Sequence, residues 1–349
     1  MTASISPAIL TAIQAIARKE EVSPETLTEA FKEILGGDTT PERISAFLMG
    51  LAVRGETSAE LYAGASVMRQ FARKIDLGKD VLDTCGTGGL GWTSLNTSTA
   101  SAILLAACGV PVAKHGNRSV PPKTGSADVL EALGVGLELT EDQFRNSIET
   151  AGIGFLFARS HHSAMRHVAP IRASLAIRTI FNLLGPLSSP VSASHQILGV
   201  YDPHWLRPMA ETLQKLGVKR AWVVHGTGSD RAIDELSTEG PTQVIEVTEG
   251  GLREFEIQAA DAGLTGGPLS ELAGGSPEHN AKAITDLFDG QTSVFRDAVL
   301  LNTAGGLVVF GKATDLKEGV ALASDVLASG APVEVLEKLK TASGGVSEA

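Results

Sequence analysis

The amino-acid sequence predicts an α/β protein with a small all-helical domain and a larger domain whose mostly parallel sheet is flanked by helices. Three observations carry this prediction. Apolar residues recur at helical spacing through residues 1–75, with no strand-like run among them. Beyond that point, short apolar runs alternate with amphipathic segments, the pattern of strands joined by crossover helices. Two of those runs end in polar loops rich in glycine, at 86–91 and 114–126, where the strands of such sheets meet ligands.

The elements follow in order. PAILTAIQAIARKE, ETLTEAFKEIL, ERISAFLMGLAV and AELYAGASVMRQFARK each place apolar positions on one helical face. Ser23-Pro24 and Thr40-Pro41 set a hydroxyl cap before a proline in the first turn, and Thr57 with Glu60 has capping-box spacing. Candidate strands are VLDTC, PVAKHG, GFLFA, HQILGVY, AWVVHG and TQVIEV. Between them fit the helices STASAILLAACG, GSADVLEALG, TEDQFRNSIETAG and HWLRPMAETLQKLG. Helix-like text at 166–190 interrupts the alternation and is expected to pack back on the N-terminal helices. The expected organisation is thus a helical domain of residues 1–75 joined by 163–190, and an α/β domain of 76–162 and 191–349. The tail returns to helix in PEHNAKAITDLF, SVFRDAVLLNTAGGLVVFG and LKEGVALASDVLASG, with no repeat.

Composition narrows the function. The chain has 349 residues, 43% of them hydrophobic, which is ample for a packed core. A formal net charge of −11 disfavours non-specific attraction to nucleic acid or anionic lipid, so an anionic ligand must be gripped by local groups. No apolar run reaches the roughly 18 residues that span a bilayer, and MTASISPAIL lacks the pattern of a signal peptide. A cytoplasmic location is the expectation. Two cysteines, Cys85 and Cys108, give no basis for a disulfide framework or CxxC metal chemistry, and Cys85 reads as a small buried residue before a nucleophile.

The glycines of GTGGLGWTSLNTST (86–99) spell G-x-G-x-x-G. A dinucleotide fingerprint needs a helix at its third glycine and an acid some 20 residues later. Here the text after Gly91 is rich in hydroxyls, and Lys114, His115, Asn117 and Arg118 stand where the acid belongs. An anion cradle fits better: glycine N–H groups, then a helix starting near Asn96-Thr97-Ser98-Thr99 with its positive dipole end. KHGNRSVPPKTGS, with three cations and Gly125-Ser126 before the next helix, is a second such loop. Two anion loops at neighbouring strand ends suit a ligand with two separate phosphate groups.

VVHGTGSDRAIDELS leads a strand into a loop with Asp230, Asp234 and Glu235. Beside a phosphate cradle, such hard oxygens are what Mg²⁺ requires when it is shared with a phosphorylated substrate. His161, His162 and His167 lack the spacing of a zinc pair. Arg172 can grip a carboxylate through two parallel hydrogen bonds, or serve as an interdomain ion-pair partner.

Taken together, GTGG (86–89), NTST (96–99), KHGNRS (114–119), AMRHVAPIR (164–172), RTIFNLLGPL (178–187) and VVHG followed by DELS (234–237) resemble the anthranilate phosphoribosyltransferase family over nearly the whole chain. The resemblance implies the two-domain plan shared with nucleoside phosphorylases, a homodimer formed through the helical parts, and Mg²⁺ as cofactor. It implies transfer of phosphoribose from phosphoribosyl pyrophosphate to the amine of anthranilate, in tryptophan biosynthesis. Phosphoribosyl pyrophosphate contacts then fall on Gly86, Gly89, Leu90, Ser94, Asn96, Ser98 and Thr99 in the first loop. In the second they fall on Lys114, Asn117, Arg118, Ser119 and Ser126, with Lys114 stabilising the leaving group. Anthranilate contacts fall on Gly86, His115, Asn117, His162 and Arg172, and metal ligands on Ser98, Asp234 and Glu235. No covalent nucleophile is implied.

Three departures from the family pattern stand out. Leu90 replaces an acid, Pro121-Pro122 replace two serines, and the loop before Asp234 is lengthened by Asp230 and Arg231. Two other functions share some of these features. A nucleoside phosphorylase would show phosphate-dependent release of a free base, and a non-catalytic nucleic-acid-binding relative would need a basic cleft that this acidic chain does not promise.

Overall fold

A computed structural model of the chain describes residues 7–119 and 124–345, so the Pro121-Pro122 departure lies outside the described residues. Four helices come first: α1 (Ala8–Ala17), α2 (Pro24–Gly36), α3 (Pro41–Arg54) and α4 (Ser58–Phe71). Their starts follow from the caps. Ser23 and Thr40 accept the N–H groups of Thr26 and Arg43, and Thr57 and Glu60 form a reciprocal capping box.

The alternating part begins with β1 (Leu82–Gly86), α5 (Thr97–Ala107), β2 (Val112–Gly116), α6 (Ser126–Ala132), α7 (Glu141–Thr150) and β3 (Ile153–Phe157). Three short helices interrupt it: α8 (Ala158–His161), α9 (Ala169–Leu175) and α10 (Phe181–Leu187). It resumes with β4 (His195–Gly199), α11 (Leu206–Lys215), β5 (Arg220–Thr227), β6 (Ala232–Ile233), β7 (Thr242–Thr248) and β8 (Gly251–Ile257). Helices α12 (Pro277–Phe288), α13 (Val294–Phe310), α14 (Leu316–Ala328) and α15 (Ala331–Ala342) close the chain. Among the described residues no single helix is long and apolar enough to cross a membrane.

The chain divides into two compact units, one of residues up to Lys74 with Arg159–Ser192, the other of Ile75–Ala158 with the rest from Ala193. In the helical unit Phe31 packs edge-on against Phe47 and Phe181, at ring separations of 5.5 and 6.3 Å. Gly64 of α4 lets Leu184 of α10 come close, since a Cβ there would lie 2.8 Å from a leucine methyl. The interrupting segment therefore packs on the N-terminal helices.

In the α/β unit the strand order is β3-β2-β1-β4-β5-β7-β8, with β6 paired to β5. Strands β1 to β5 are parallel, whereas β7 and β8 extend the sheet in antiparallel fashion. All six expected strands form. β8, GLREFEI, was not among the candidates because it has no apolar run. Its exposed charges Arg253, Glu254 and Glu256 are those of an edge strand guarded against further pairing. Helix α13 is buried on nearly every face and forms the centre of the core with α5 and the sheet.

Strand order reverses between β1 and β4, which pair in register from Leu82↔His195 to Gly86↔Gly199. The crevice at the carboxyl ends of these two strands is the topological switch point where open α/β sheets place ligands.

Candidate functional site

A polar cavity of about 310 Å³ opens at that switch point, entirely within the α/β unit. A larger groove of about 440 Å³ beside α11, β7 and β8 holds none of the glycine loops. Chemistry therefore selects the smaller cavity.

The first loop leaves β1 at Gly86. Gly88, Gly89 and Gly91 all have positive φ, a conformation that glycine adopts without a side-chain penalty. Gly86, Gly89 and Leu90 line the cavity, as do Ser94, Asn96 and Ser98 further along. Leu90, the first of the departures expected from the sequence, packs partly against the hydrophobic core. The loop before Asp234 reaches the first loop: Arg231 pairs with Asp230 and lies over the Trp92 ring at 5.2 Å.

Helix α5 starts at Thr97, and its phase decides which hydroxyl faces the site. Ser98 lines the cavity, whereas Thr97 and Thr99 are fully buried. Thr99, expected at the phosphoribosyl site, is buried one position further along the helix, about 100° round from Ser98. Asn96 occupies the N-cap but makes no capping bond with its side chain. The orphan N–H of Ser98 is instead taken by Glu235 Oε1 at 2.9 Å.

The second loop leaves β2. Lys114 is 2% exposed, and its Nζ donates to the Thr84 carbonyl at 2.5 Å and to Ser98 Oγ at 3.2 Å. Burial pushes its pKa down, against the pull of Asp83. Asp83, fully buried beneath the loop, accepts the His115 N–H at 3.0 Å, and burial pushes its carboxyl up to about 6. His115, Asn117, Arg118, Ser119 and Ser126 all line the cavity. The Arg118 guanidinium, however, is paired with Asp128 and Glu131 of α6, at 3.1 and 2.7 Å. Burial, then Asp83, raise the Cys85 thiol well above its ordinary value.

Asp234 and Glu235 complete the lining. The Gly88 N–H donates to Asp234 Oδ2 at 2.8 Å. Burial first, then Asp234, push the Glu235 carboxyl up to about 8. Two adjacent carboxylates that resist joint ionisation, with the Ser98 hydroxyl beside them, form a set of hard oxygens suited to a divalent cation.

His162 and Arg172 belong to the helical unit. Arg172 lies over the Phe181 ring at 5.9 Å. His162 is buried, and burial followed by His161 pushes its pKa down to about 4, so it is neutral at pH 7.

Sequence reasoning missed the supports of this site. Gly199 admits the Asp234 backbone so closely that a Cβ would lie 1.6 Å from its carbonyl oxygen. Asn302 of α13 accepts the Leu236 N–H at 3.0 Å and donates to the Leu236 carbonyl at 3.1 Å, pinning the residue after Glu235. Asn280 of α12 donates to Asn96 Oδ1 at 2.8 Å. Lone glycines and asparagines in apolar helices carry no local signal of such contacts.

Comparison with known proteins agrees with this architecture. Residues 78–333 match the glycosyl transferase family, a/b domain, and residues 10–72 match its helical bundle domain. The anthranilate phosphoribosyltransferase of Hyphomonas neptunium is 58% identical over 332 residues, 95% of this chain and 96% of that protein. The crystal structure of the Thermus thermophilus enzyme superposes with a TM-score of 0.89 at 44% identity, covering 97% of this chain and 99% of that one. The Saccharomyces cerevisiae enzyme in complex with PRPP and Mg has a TM-score of 0.86 at 26% identity, covering 96% and 98%. With glycine, hydroxyl and lysine groups around one cavity and identity extending over nearly its full length, the chain belongs to the anthranilate phosphoribosyltransferase family.

Proposed function

We propose that this protein transfers the phosphoribosyl group of phosphoribosyl pyrophosphate to the amine of anthranilate, giving N-(5-phosphoribosyl)anthranilate and pyrophosphate in tryptophan biosynthesis. The observation that carries the reading is the convergence of both polar loops on one cavity at the switch point, with buried Lys114 between them. The glycine loop at 86–89 and the hydroxyls of Ser98, Ser119 and Ser126 line that cavity and would meet the phosphate oxygens, the N–H groups of Thr87, Gly88 and Ser98 being already taken by Gly199, Asp234 and Glu235. Leu90, Ser94, Asn96, Asn117 and Arg118 shape the same cavity, Arg118 by exchanging its carboxylate partners for phosphate.

The amine of anthranilate is neutral at pH 7, so it attacks the anomeric carbon with its own lone pair while the bond to pyrophosphate breaks, and the nitrogen then sheds one proton to the released pyrophosphate or to solvent. Stabilising the departing charge is the main task, and it is assigned to Lys114, whose burial beside the cavity supports the reading. Asp234, Glu235 and Ser98 are the residues that would hold Mg²⁺, which when bound supplies positive charge to the pyrophosphate oxygens. Arg172 is assigned to the carboxylate of anthranilate, and Gly86, His115, Asn117 and His162 to its remaining contacts. A homodimer through the helical domain is also part of the proposal. Met49, Val53, Tyr62 and Phe71 of α3 and α4 are exposed apolar side chains suited to it. A cytoplasmic location suits the two free thiols, Cys85 and Cys108.

The test is the fall in anthranilate fluorescence on mixing protein with phosphoribosyl pyrophosphate, with and without Mg²⁺. A decay that needs both is expected. A folded protein that gives none at any metal concentration, or that releases a base from nucleosides in phosphate, overturns the reading.

A further inference from the structure

We infer that Asn280 is a positioning residue for phosphoribosyl pyrophosphate, fixing the orientation of Asn96 and holding the two polar loops in register; this rests on the function proposed above. Asn280 lies in the first turn of α12 and is 0% exposed. Its Oδ1 accepts the Gly275 N–H at 2.8 Å, and its Nδ2 donates to Asn96 Oδ1 at 2.8 Å and to the Ser94 carbonyl at 3.4 Å.

The direction of these bonds is forced. A backbone N–H only donates, so the atom facing Gly275 is the amide oxygen of Asn280, and the atom facing Asn96 is its NH₂ group. Asn96 must then present its oxygen to Asn280, which turns its own Nδ2 to the Thr124 carbonyl at 3.3 Å. Thr124 closes the ring by donating its hydroxyl to the Gly275 carbonyl at 2.6 Å. Segment 93–95 is also paired with 272–274, through the Ser94↔Ala273 bridge and the Leu95 N–H to the Leu272 carbonyl.

The ring therefore links the residues just before α5 to those just before α6. Ser94, Asn96, Thr124, Gly125 and Ser126 all line the cavity, whereas Asn280 does not. Its influence on a ligand passes through Asn96 and the loop backbones. A fully buried amide with three hydrogen bonds is a stiff support, because leaving any of them unmade strands a buried polar group.

The experiment measures phosphoribosyl pyrophosphate binding by calorimetry in the presence of Mg²⁺, with steady-state kinetics, for wild type, Asn280→Ala, Asn280→Asp, Asn96→Ala and the double alanine variant. Asn280→Asp keeps the volume but sets an acceptor against two acceptors. Both Asn280 variants are expected to raise the Kd and KM for phosphoribosyl pyrophosphate by about tenfold or more, the scale of one well-made buried hydrogen bond. The KM for anthranilate should stay within about twofold. In the Asn96→Ala background, replacing Asn280 should cost much less than in wild type. Full additivity of the two losses, or equal rises in both KM values, would overturn the proposal. So would unchanged phosphoribosyl pyrophosphate binding in variants that melt like wild type. Should the alanine and aspartate variants fail to fold, Asn280→Ser takes their place, and failure of all three makes Asn280 a structural residue and ends the proposal. A folded wild-type protein that binds no phosphoribosyl pyrophosphate overturns the function itself, a result distinct from any difference among variants.

Discussion

Adding one methyl group at Gly199 tests how the carboxylate pair is held. Gly199 ends β4 and is paired on one side with Gly86 and on the other with Val224, so the strand has little freedom to move. Its Cβ would lie 1.6 Å from the Asp234 carbonyl oxygen, 2.3 Å from the carbonyl carbon and 3.0 Å from Cα. Ordinary contact begins near 3.4 Å, so the 234–235 backbone must retreat by about 1.8 Å. That displacement breaks the Gly88 N–H bond to Asp234 and the Ser98 N–H bond to Glu235. Overpacking of this kind costs about 1–3 kcal/mol of stability. A shift of about 1 Å in a reacting constellation costs about 100-fold in rate, roughly 2.7 kcal/mol of barrier. Gly199→Ala is thus expected to lower kcat/KM about 100-fold and to move the Mg²⁺ midpoint upward. Anthranilate fluorescence across a metal series measures both. A folded Gly199→Ala protein with the wild-type rate and metal midpoint would refute the argument that backbone contact at Gly199 sets the carboxylates.

Three further outcomes are expected. Arg172→Ala should raise the KM for anthranilate much more than that for phosphoribosyl pyrophosphate, and the reverse split in steady-state kinetics removes Arg172 from its role. The Asp234→Ala, Glu235→Ala double variant should weaken Mg²⁺ dependence, and an unchanged metal titration rejects the pair as ligands. His162 carries a folded pKa depressed from 6.5 to about 4 by burial, so its neutral form contributes stability above pH 6.5 that is lost as pH falls toward 4. Urea unfolding should show His162→Phe losing up to about 3 kcal/mol less than wild type across that window, and parallel pH profiles would contradict this.

What was legible in the sequence was whatever chemistry forces into local text. Glycines with positive φ, a hydroxyl at a helix start and a buried lysine at a strand end line one cavity. The strands of the parallel core showed as apolar runs because both faces are covered. β8 did not show because an edge strand is written in charges. Thr99 and Ser98 are adjacent in sequence and indistinguishable in chemistry; only the phase of α5 separates the cavity face from the core face. The pairing of Arg118 with Glu131, and the grip of Asn302 on Leu236, join residues 13 and 66 positions apart. No short-range pattern encodes them.

An acidic chain that binds a polyanion needs its positive charge held ready and unspent, and the two cations of the second loop differ in this respect. Arg118 is saturated by two carboxylates of α6, so a phosphate must displace them to reach it. Lys114 is held by two uncharged oxygens, those of Thr84 and Ser98, which fix its direction without neutralising it. Asp83 lies deeper, bonded to the His115 backbone, and burial favours its neutral form. The ammonium group thus has oriented neutral neighbours at close range and its counter-charge at a distance. On the proposed reaction, an arriving pyrophosphate would be the first full anionic partner directly at its tip, and the same charge would then contribute more to the departing group than an exposed, already paired arginine.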